Sequence, residues 1–261
     1  MGEVTFEFGT LIHGRQNQMG TFDADLNPDV RNATTNADLT LYIRINFQRI
    51  DPTPGRPATY RDYDGTAVPI RAWRDAEWTQ WKSRFLSDCR TKWNGKFWLV
   101  TPATYNRLNW PEQNPTHRCN LYCRFEISEQ GNSQGAHAVI PVVRVNGRHS
   151  FRSHMLLYSN NDIRAEQLTR GSNFFTHVHE IGHLIGLQHP GTGRPGCVGG
   201  GEAVCYRSAD GDERGAMGLG SEMRTEYARP WTRAASIFTG VPQASWTVSL
   251  VRRYPQRLAA R

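Results

Sequence analysis

The eleven residues 179–189 constrain the fold of this chain most strongly, because they read H-E-x-x-H-x-x-G-x-x-H. His179 and His183 stand four positions apart, so a helix would present both side chains on one face. Two imidazoles so placed can bind one Zn²⁺, and the adjacent Glu180 can reach a metal-bound water as a general base. Gly186 can adopt the left-handed conformation that ends a helix, after which the reversed chain supplies His189 as a third ligand. The segment therefore predicts a three-histidine zinc site with one position left for water.

At these residues the chain resembles the metzincin clan of zinc metallopeptidases, whose signature joins this motif to a methionine-containing turn. The G-A-M-G stretch at residues 215–218 supplies such a turn, and the resemblance implies that Met217 packs beneath the histidines without binding the metal. Pro190, directly after His189, is similar to the serralysin type, but the calcium-binding repeats of serralysins are missing from the sequence. Leu219 stands where serralysins and astacins place a tyrosine, so no named family is assigned.

The resemblance implies an α/β (α+β) fold with a single metallopeptidase domain over residues 1–261. Residues 1–189 would form an N-terminal subdomain, in which a mixed twisted sheet, a backing helix and the active-site helix lie above a cleft. Residues 190–261 would form a smaller, irregular C-terminal subdomain with the Met-turn and one helix. The length of the chain is sufficient for one large domain with a buried core.

Alternation of apolar and polar residues predicts the strands of this sheet. The clearest strand covers residues 38–50, in which apolar side chains occupy every second position. Pro141 cannot donate a ladder hydrogen bond, so its strand, residues 136–145, is expected at the sheet edge. The resemblance implies that an edge strand binds the substrate backbone by β-augmentation, and this strand is a candidate for that role. The remaining predicted strands are residues 4–8, 97–100 and 118–128.

Apolar residues at helical spacing predict three helices. The helix that carries the metal ligands is expected to begin at an N-cap formed by Ser172 or Asn173. Pro230 lacks an N–H group and is expected to break the third helix. His177, two positions before the first ligand, would face elsewhere on the helix and is excluded as a ligand. The predicted helices are residues 71–93, 171–187 and 221–238.

Four of the five cysteines form two pairs in the sequence. Cys119 and Cys123 share the apolar face of one predicted strand, too far apart to bridge each other, and are interpreted as small buried hydrophobic residues. Cys197 and Cys205 bracket a glycine-rich loop between the third histidine and the Met-turn, where a disulfide would hold the loop beside the site. Two alternatives stay open for this last pair, a disulfide and two free thiols. The odd total leaves at least one thiol free.

Charge and hydropathy exclude several classes of protein. Lys and Arg number 31 against 24 Asp and Glu, a net charge of +7, but no run of five basic residues suggests specific nucleic-acid binding. No run of apolar residues approaches the length that a transmembrane helix requires. No Sec signal peptide is visible at the N-terminus, so the expected location is cytoplasmic, or outside the cell by a route other than Sec.

These observations predict a zinc-dependent endopeptidase that hydrolyses internal peptide bonds of protein or peptide substrates through a Glu180-activated, zinc-bound water. One version of this hypothesis is a bacterial effector or toxin protease, which would be restrained by an inhibitor or immunity protein. Two alternatives belong to other classes, a non-catalytic zinc-binding interaction module and a basic protein that binds nucleic acid and carries zinc. The intact Glu180 argues against the first, and the absence of a recognition motif in the sequence argues against the second.

Overall fold

The fold combines one large mixed sheet with a few helices, as seen in a computed structural model. The structure describes residues 2–5, 11–12, 15–16, 20–27, 36–105, 107–108, 117–147, 149–169, 171–197, 203–207 and 212–257. None of the helices in these ranges has both the length and the apolar character that crossing a bilayer requires.

Sixteen strands and four α-helices are present in the described residues. The strands are β1 (Gly2–Thr5), β2 (Leu11–Ile12), β3 (Arg15–Gln16), β4 (Thr21–Asn27), β5 (Ala37–Ile50), β6 (Thr59–Arg61), β7 (Ala67–Pro69), β8 (Phe97–Val100), β9 (His117–Arg118), β10 (Leu121–Glu129), β11 (Ala138–Val143), β12 (Tyr158–Ser159), β13 (Glu166–Thr169), β14 (Ser172–Phe174), β15 (Thr247–Ser249) and β16 (Gln256–Arg257). The helices are α1 (Asp75–Trp93), α2 (Thr176–Leu184), α3 (Ala203–Tyr206) and α4 (Arg229–Thr239).

The main sheet is built around β5, the strand that the alternation pattern predicted. Its order is β1-β4-β5-β10-β8-β15, with β11 paired to the second half of β5 and β12 paired to β11. Strands β10 and β11 run parallel to β5, whereas β4 is antiparallel to it. Every second side chain of β5 from Leu39 to Phe47 is buried, because one face of this strand packs against the core. The sheet is therefore mixed, in agreement with the predicted α+β class.

Helix α1 packs against the sheet and against α2, the helix that carries His179 and His183. Trp81, Phe85, Cys89 and Trp93 recur every four residues and are all buried on its inner face. The Trp93 indole Nε1 donates a hydrogen bond of 3.2 Å to the carbonyl of Val178 in α2. One continuous buried cluster links this helix, the sheet, α2 and α4. The core thus holds the ligand-bearing helix from behind.

The predicted edge strand lies at the border of the sheet. Strand β11 pairs with β5 along its whole length but with β12 only at Val142 and Val143. Pro141 accordingly has no second strand beside it among the described residues, as expected for a residue without an N–H donor. Whether this border binds a substrate backbone stays a prediction.

Several predicted boundaries were wrong for identifiable reasons. Residues 171–174 belong to a hairpin of β13 and β14 rather than to the metal-site helix, and Gly171, with φ +76°, lies in the hairpin turn. The helix begins at Thr176 after Phe175, so neither Ser172 nor Asn173 is its N-cap. The Ser172 hydroxyl instead accepts a hydrogen bond of 3.1 Å from the Ser221 N–H.

The other two helices are also shorter than predicted. Helix α1 begins at Asp75, and Trp73 lies before it, buried with its Nε1 donating to the carbonyl of Val142. Pro230 does not break a helix but stands in the first turn of α4, where a missing N–H costs nothing. The strand predicted at 118–128 is divided, since β9 ends at Arg118 and β10 begins at Leu121. Of the strand predicted at 4–8, residues 6–8 lie outside the described residues.

Candidate metal centre

Helix α2 places two of the predicted ligands on one face, one turn apart. His179 is buried, and His183 is partly exposed one turn later. The apolar side chains of Val178, Ile181 and Leu184 on the same short helix are buried in the core. This burial sets the rotation of the helix and so directs the histidine face toward a single point.

A glycine-dependent turn ends this helix and returns the chain toward the histidines. The Gly186 N–H donates to the carbonyl of His183 at 2.9 Å, and the Leu187 N–H donates to the carbonyl of Gly182 at 2.9 Å. This pair of bonds forms a Schellman motif, in which the residue at the position of Gly186 is left-handed. Its φ is +92°, a conformation that strains any residue with a β-carbon. The reversal brings His189 back beside the helix.

The three predicted ligands converge at their Nε2 atoms. The Nε2–Nε2 distances are 3.1 Å between His179 and His183, 3.0 Å between His179 and His189, and 3.0 Å between His183 and His189. Nitrogens with this spacing can all lie about 2.0–2.1 Å from one ion, the usual zinc–histidine distance. Among the described residues, these histidines form the one group of three or more potential ligands close enough to hold a metal.

Two backbone carbonyls set the tautomers of the helical histidines. The Nδ1 atom of His179 lies 3.0 Å from the carbonyl oxygen of Ala216, and that of His183 lies 2.8 Å from the carbonyl oxygen of Leu187. A carbonyl oxygen can only accept, so each Nδ1 carries the proton and each Nε2 presents a lone pair. Two lone pairs that face each other at this distance repel unless a cation lies between them. The arrangement therefore fits a metal ion.

Burial keeps the three histidines neutral near neutral pH, as metal ligands must be. Burial, with a smaller contribution from the charge of His183, lowers the pKa of His179 to about 3. Burial also lowers the pKa of His183 to about 4 and depresses that of His189 further. Protons therefore compete weakly with a metal ion at this site.

Glu180 lies beside the first ligand on the adjoining face of α2 and remains partly exposed. Its carboxylate accepts a hydrogen bond from the backbone N–H of Met155, and the nearby Arg152 guanidinium favours its charged form. Burial, and then the charge of Asp162, raise the pKa of Glu180 to about 8. A cation at the histidines would act in the opposite sense and favour the carboxylate.

Met217 lies directly behind the ligand helix. It is completely buried, and a β-carbon built on Gly182 would stand 2.2 Å from its Sδ atom. Gly182 separates the two helical ligands, so the sulfur supports the helix at the turn between them. The preceding carbonyl, that of Ala216, is the partner of His179. The segment around Met217 therefore both supports the ligand helix and orients His179.

A disulfide lies in the segment that follows the third histidine. Cys197 and Cys205 are bonded, with a sequence separation of 8. The Gly191 N–H donates to the carbonyl of Cys205 at 2.7 Å, and a β-carbon on Gly191 would lie 1.9 Å from the carbonyl oxygen of Val204. This close approach needs a glycine. It places the ring of Tyr206 with its centroid 4.6 Å from that of His189.

Sequence reasoning missed Tyr206 and the two carbonyls that orient the histidines. Only the position of Tyr206 next to a cysteine of the candidate bridge could have indicated it. His177, excluded as a ligand from the sequence, is buried with its Nδ1 2.8 Å from the carbonyl of Asp162. His137, His149 and His154 also lie outside the metal-ligating group.

Comparison with known proteins gives no match to a protein-family model, to a curated protein or to a solved structure. The interpretation of the site therefore depends on its own geometry and chemistry.

Proposed function

We propose that the protein is a zinc-dependent endopeptidase. The observation that carries this proposal is the convergence of three neutral histidine Nε2 atoms with a glutamate next to the first of them in the sequence. Three imidazoles suit Zn²⁺, and three protein ligands leave a position for water or substrate, as catalytic zinc sites require. A zinc ion held there would polarise a substrate carbonyl and make water more acidic.

The residues of the chain would supply the proton transfer. Glu180 would take a proton from the attacking water and later deliver it to the leaving amine. The Met155 N–H would hold the carboxylate in place during both steps, because it is already bonded to it. His179 and His183 would stay neutral ligands, held by the carbonyls of Ala216 and Leu187.

The test compares wild type with Glu180→Gln, which keeps the side-chain shape but cannot accept a proton. We expect both proteins to bind zinc in equimolar amount, measured by mass spectrometry of the metal. Incubation with a mixed proteome, followed by mapping of new N-termini, should yield internal cleavages from wild type only. The loss in rate should be about 10²–10⁴-fold, the usual contribution of a general base. Glu226→Gln, on an exposed glutamate, is the matched control and should cleave like wild type.

Three results would reject the proposal. Full activity of Glu180→Gln would remove the proton-transfer role from this residue. Zinc binding without cleavage by wild type would favour the non-catalytic interaction module instead. Cleavage only at the ends of the substrate chains would indicate an exopeptidase rather than an endopeptidase.

A further inference from the structure

A second candidate site is a cavity of about 270 Å³ whose lining contains none of the residues of the metal centre. Its walls come from the segment before α1, from α1 itself, from Arg144 directly after β11 and from the turn that follows β12. Four arginines line it, and Glu77 is the only carboxylate among the described lining residues. We propose that this cavity binds a small phosphorylated polyol or sugar. The proposal is independent of the peptidase activity.

The charge of the cavity is unbalanced in favour of the arginines. Glu77 is already neutralised, because one oxygen of its carboxylate lies 2.5 Å from a guanidinium nitrogen of the buried Arg144. Arg71 and Arg164 are exposed and form no ion pair with any residue that the structure describes. Arg84 has only a long contact of 3.4 Å with Asp88. Cations that share one cavity repel each other, so a bound anion would lower the free energy of this group.

Two buried polar atoms in the lining lack partners within the described part of the chain. Trp81 is 2% exposed, and its Nε1–H has no acceptor there. The Oε2 atom of Glu77 is also buried and has no donor. Such atoms are rare in folded proteins, since each loses its hydrogen bond to water without replacement. A ligand that accepts a hydrogen bond from Trp81 and donates one to Glu77 would satisfy both atoms.

These requirements together define the chemical class of the ligand. Arginine guanidinium groups match the oxygens of a phosphate in paired hydrogen bonds, and a phosphate oxygen can also accept from the indole of Trp81. A hydroxyl group on the same molecule can donate to Glu77. The ligand therefore carries phosphate groups on a hydroxylated carbon skeleton that fits the cavity.

The test measures binding of fructose 1,6-bisphosphate to the zinc-loaded protein by titration calorimetry. We expect binding that weakens as NaCl is raised, because charges at a partly open site are screened. The double substitution Arg71→Gln/Arg164→Gln should weaken it by about tenfold or more. Arg56→Gln/Arg233→Gln removes the same charge from exposed positions outside the lining and should change affinity by less than about twofold. Zinc content and thermal unfolding would verify that each variant is folded.

Trp81→Phe provides a second variant, since it keeps an aromatic ring and removes only the N–H donor. We expect several-fold weaker binding with the charge of the cavity unchanged. The proposal is overturned if wild type does not bind the bisphosphate, or if both arginine pairs have equal effects. Tighter binding of hexaglutamate than of the bisphosphate would also overturn it, and would assign the cavity to an acidic polypeptide. Equal binding of fructose without phosphates would exclude an anion site.

Discussion

The absence of a side chain at Gly182 gives the sharpest test of how the ligand helix is supported. A β-carbon there would lie 2.2 Å from Met217 Sδ, 3.0 Å from its Cε and 3.1 Å from a ring carbon of Trp93. Neither neighbour has free space to enter: both are completely buried, and the indole of Trp93 is hydrogen-bonded to Val178. The Gly182→Ala substitution should therefore overpack the interface beneath the metal site.

The expected magnitude combines two opposing effects. Extra methyl groups in a well-packed core cost about 1–3 kcal/mol. Alanine is favoured over glycine inside a helix by about 1 kcal/mol. We therefore expect Gly182→Ala to lower the free energy of unfolding by roughly 0–2 kcal/mol, although the same change in an open helix would raise it.

A double-mutant cycle with Met217→Ala separates the two effects. Met217→Ala alone should cost about 2–5 kcal/mol, because it leaves a cavity behind the helix. In that background the added methyl group has room, so Gly182→Ala should become neutral or stabilising by up to about 1 kcal/mol. The short contact distance therefore predicts that Gly182→Ala destabilises the protein less when Met217 has been truncated than when it is present.

Urea unfolding of the metal-free proteins would measure these free energies, and zinc affinity would report any displacement of the ligands. Ser83→Ala, at an exposed position of α1, is the control for helix propensity without a new contact. The reasoning is refuted if Gly182→Ala stabilises the wild-type protein as an open helix position would. It is also refuted if the cost of Gly182→Ala is unchanged after Met217 has been truncated.

Three further predictions concern the surroundings of the site. Cys197→Ala should lower the free energy of unfolding by about 2.5 kcal/mol, the chain-entropy value for so short a loop, and an unchanged urea midpoint would contradict it. Because the folded pKa of His183 is about 4 against 6.5 ordinarily, the unfolded chain binds more protons between these values. Metal-free protein should therefore lose stability as pH falls from about 6.5 to 4, and His183→Gln should show a shallower loss; equal slopes would argue against a buried neutral histidine. Asp162→Ala should cost about 1–3 kcal/mol, because it leaves the buried Ser159 N–H and the Ser153 hydroxyl without the carboxylate that accepts from them at 2.5 Å and 2.6 Å; full wild-type stability in urea would exclude this role.

The long strand and the ligand helix could be predicted because their signals are local. Alternating burial in β5 follows from the alternating sequence, since successive side chains of a strand point to opposite faces. The boundaries failed where a partner elsewhere in the chain decided the conformation. Ser172 and Asn173 are good helix caps by propensity, but pairing of β14 with β13 makes them part of a hairpin. The pattern of residues 171–187 alone does not indicate that β13 will pair with the start of this segment.

The support around the ligands and the arginine cavity depend on contacts between distant segments. The carbonyl of Ala216 is 37 residues from His179, and the approach of residues 204–205 to Gly191 brings Tyr206 beside His189. The cavity joins Arg71, Arg84, Arg144 and Arg164, which no spacing rule connects. Such features arise only when burial of apolar surface packs the sheet and helices together.

The sequence by itself determined the chemistry of the candidate centre: three imidazoles, a neighbouring carboxylate and a glycine turn between the second and third ligands. It could do so because the helical repeat and the left-handed glycine act over a few residues and are largely independent of the rest of the fold. The tertiary structure decided which carbonyl sets the tautomer of His179, what lies beneath Gly182 and which arginines share a cavity. These depend on the close packing of segments far apart in the chain, which no local pattern encodes.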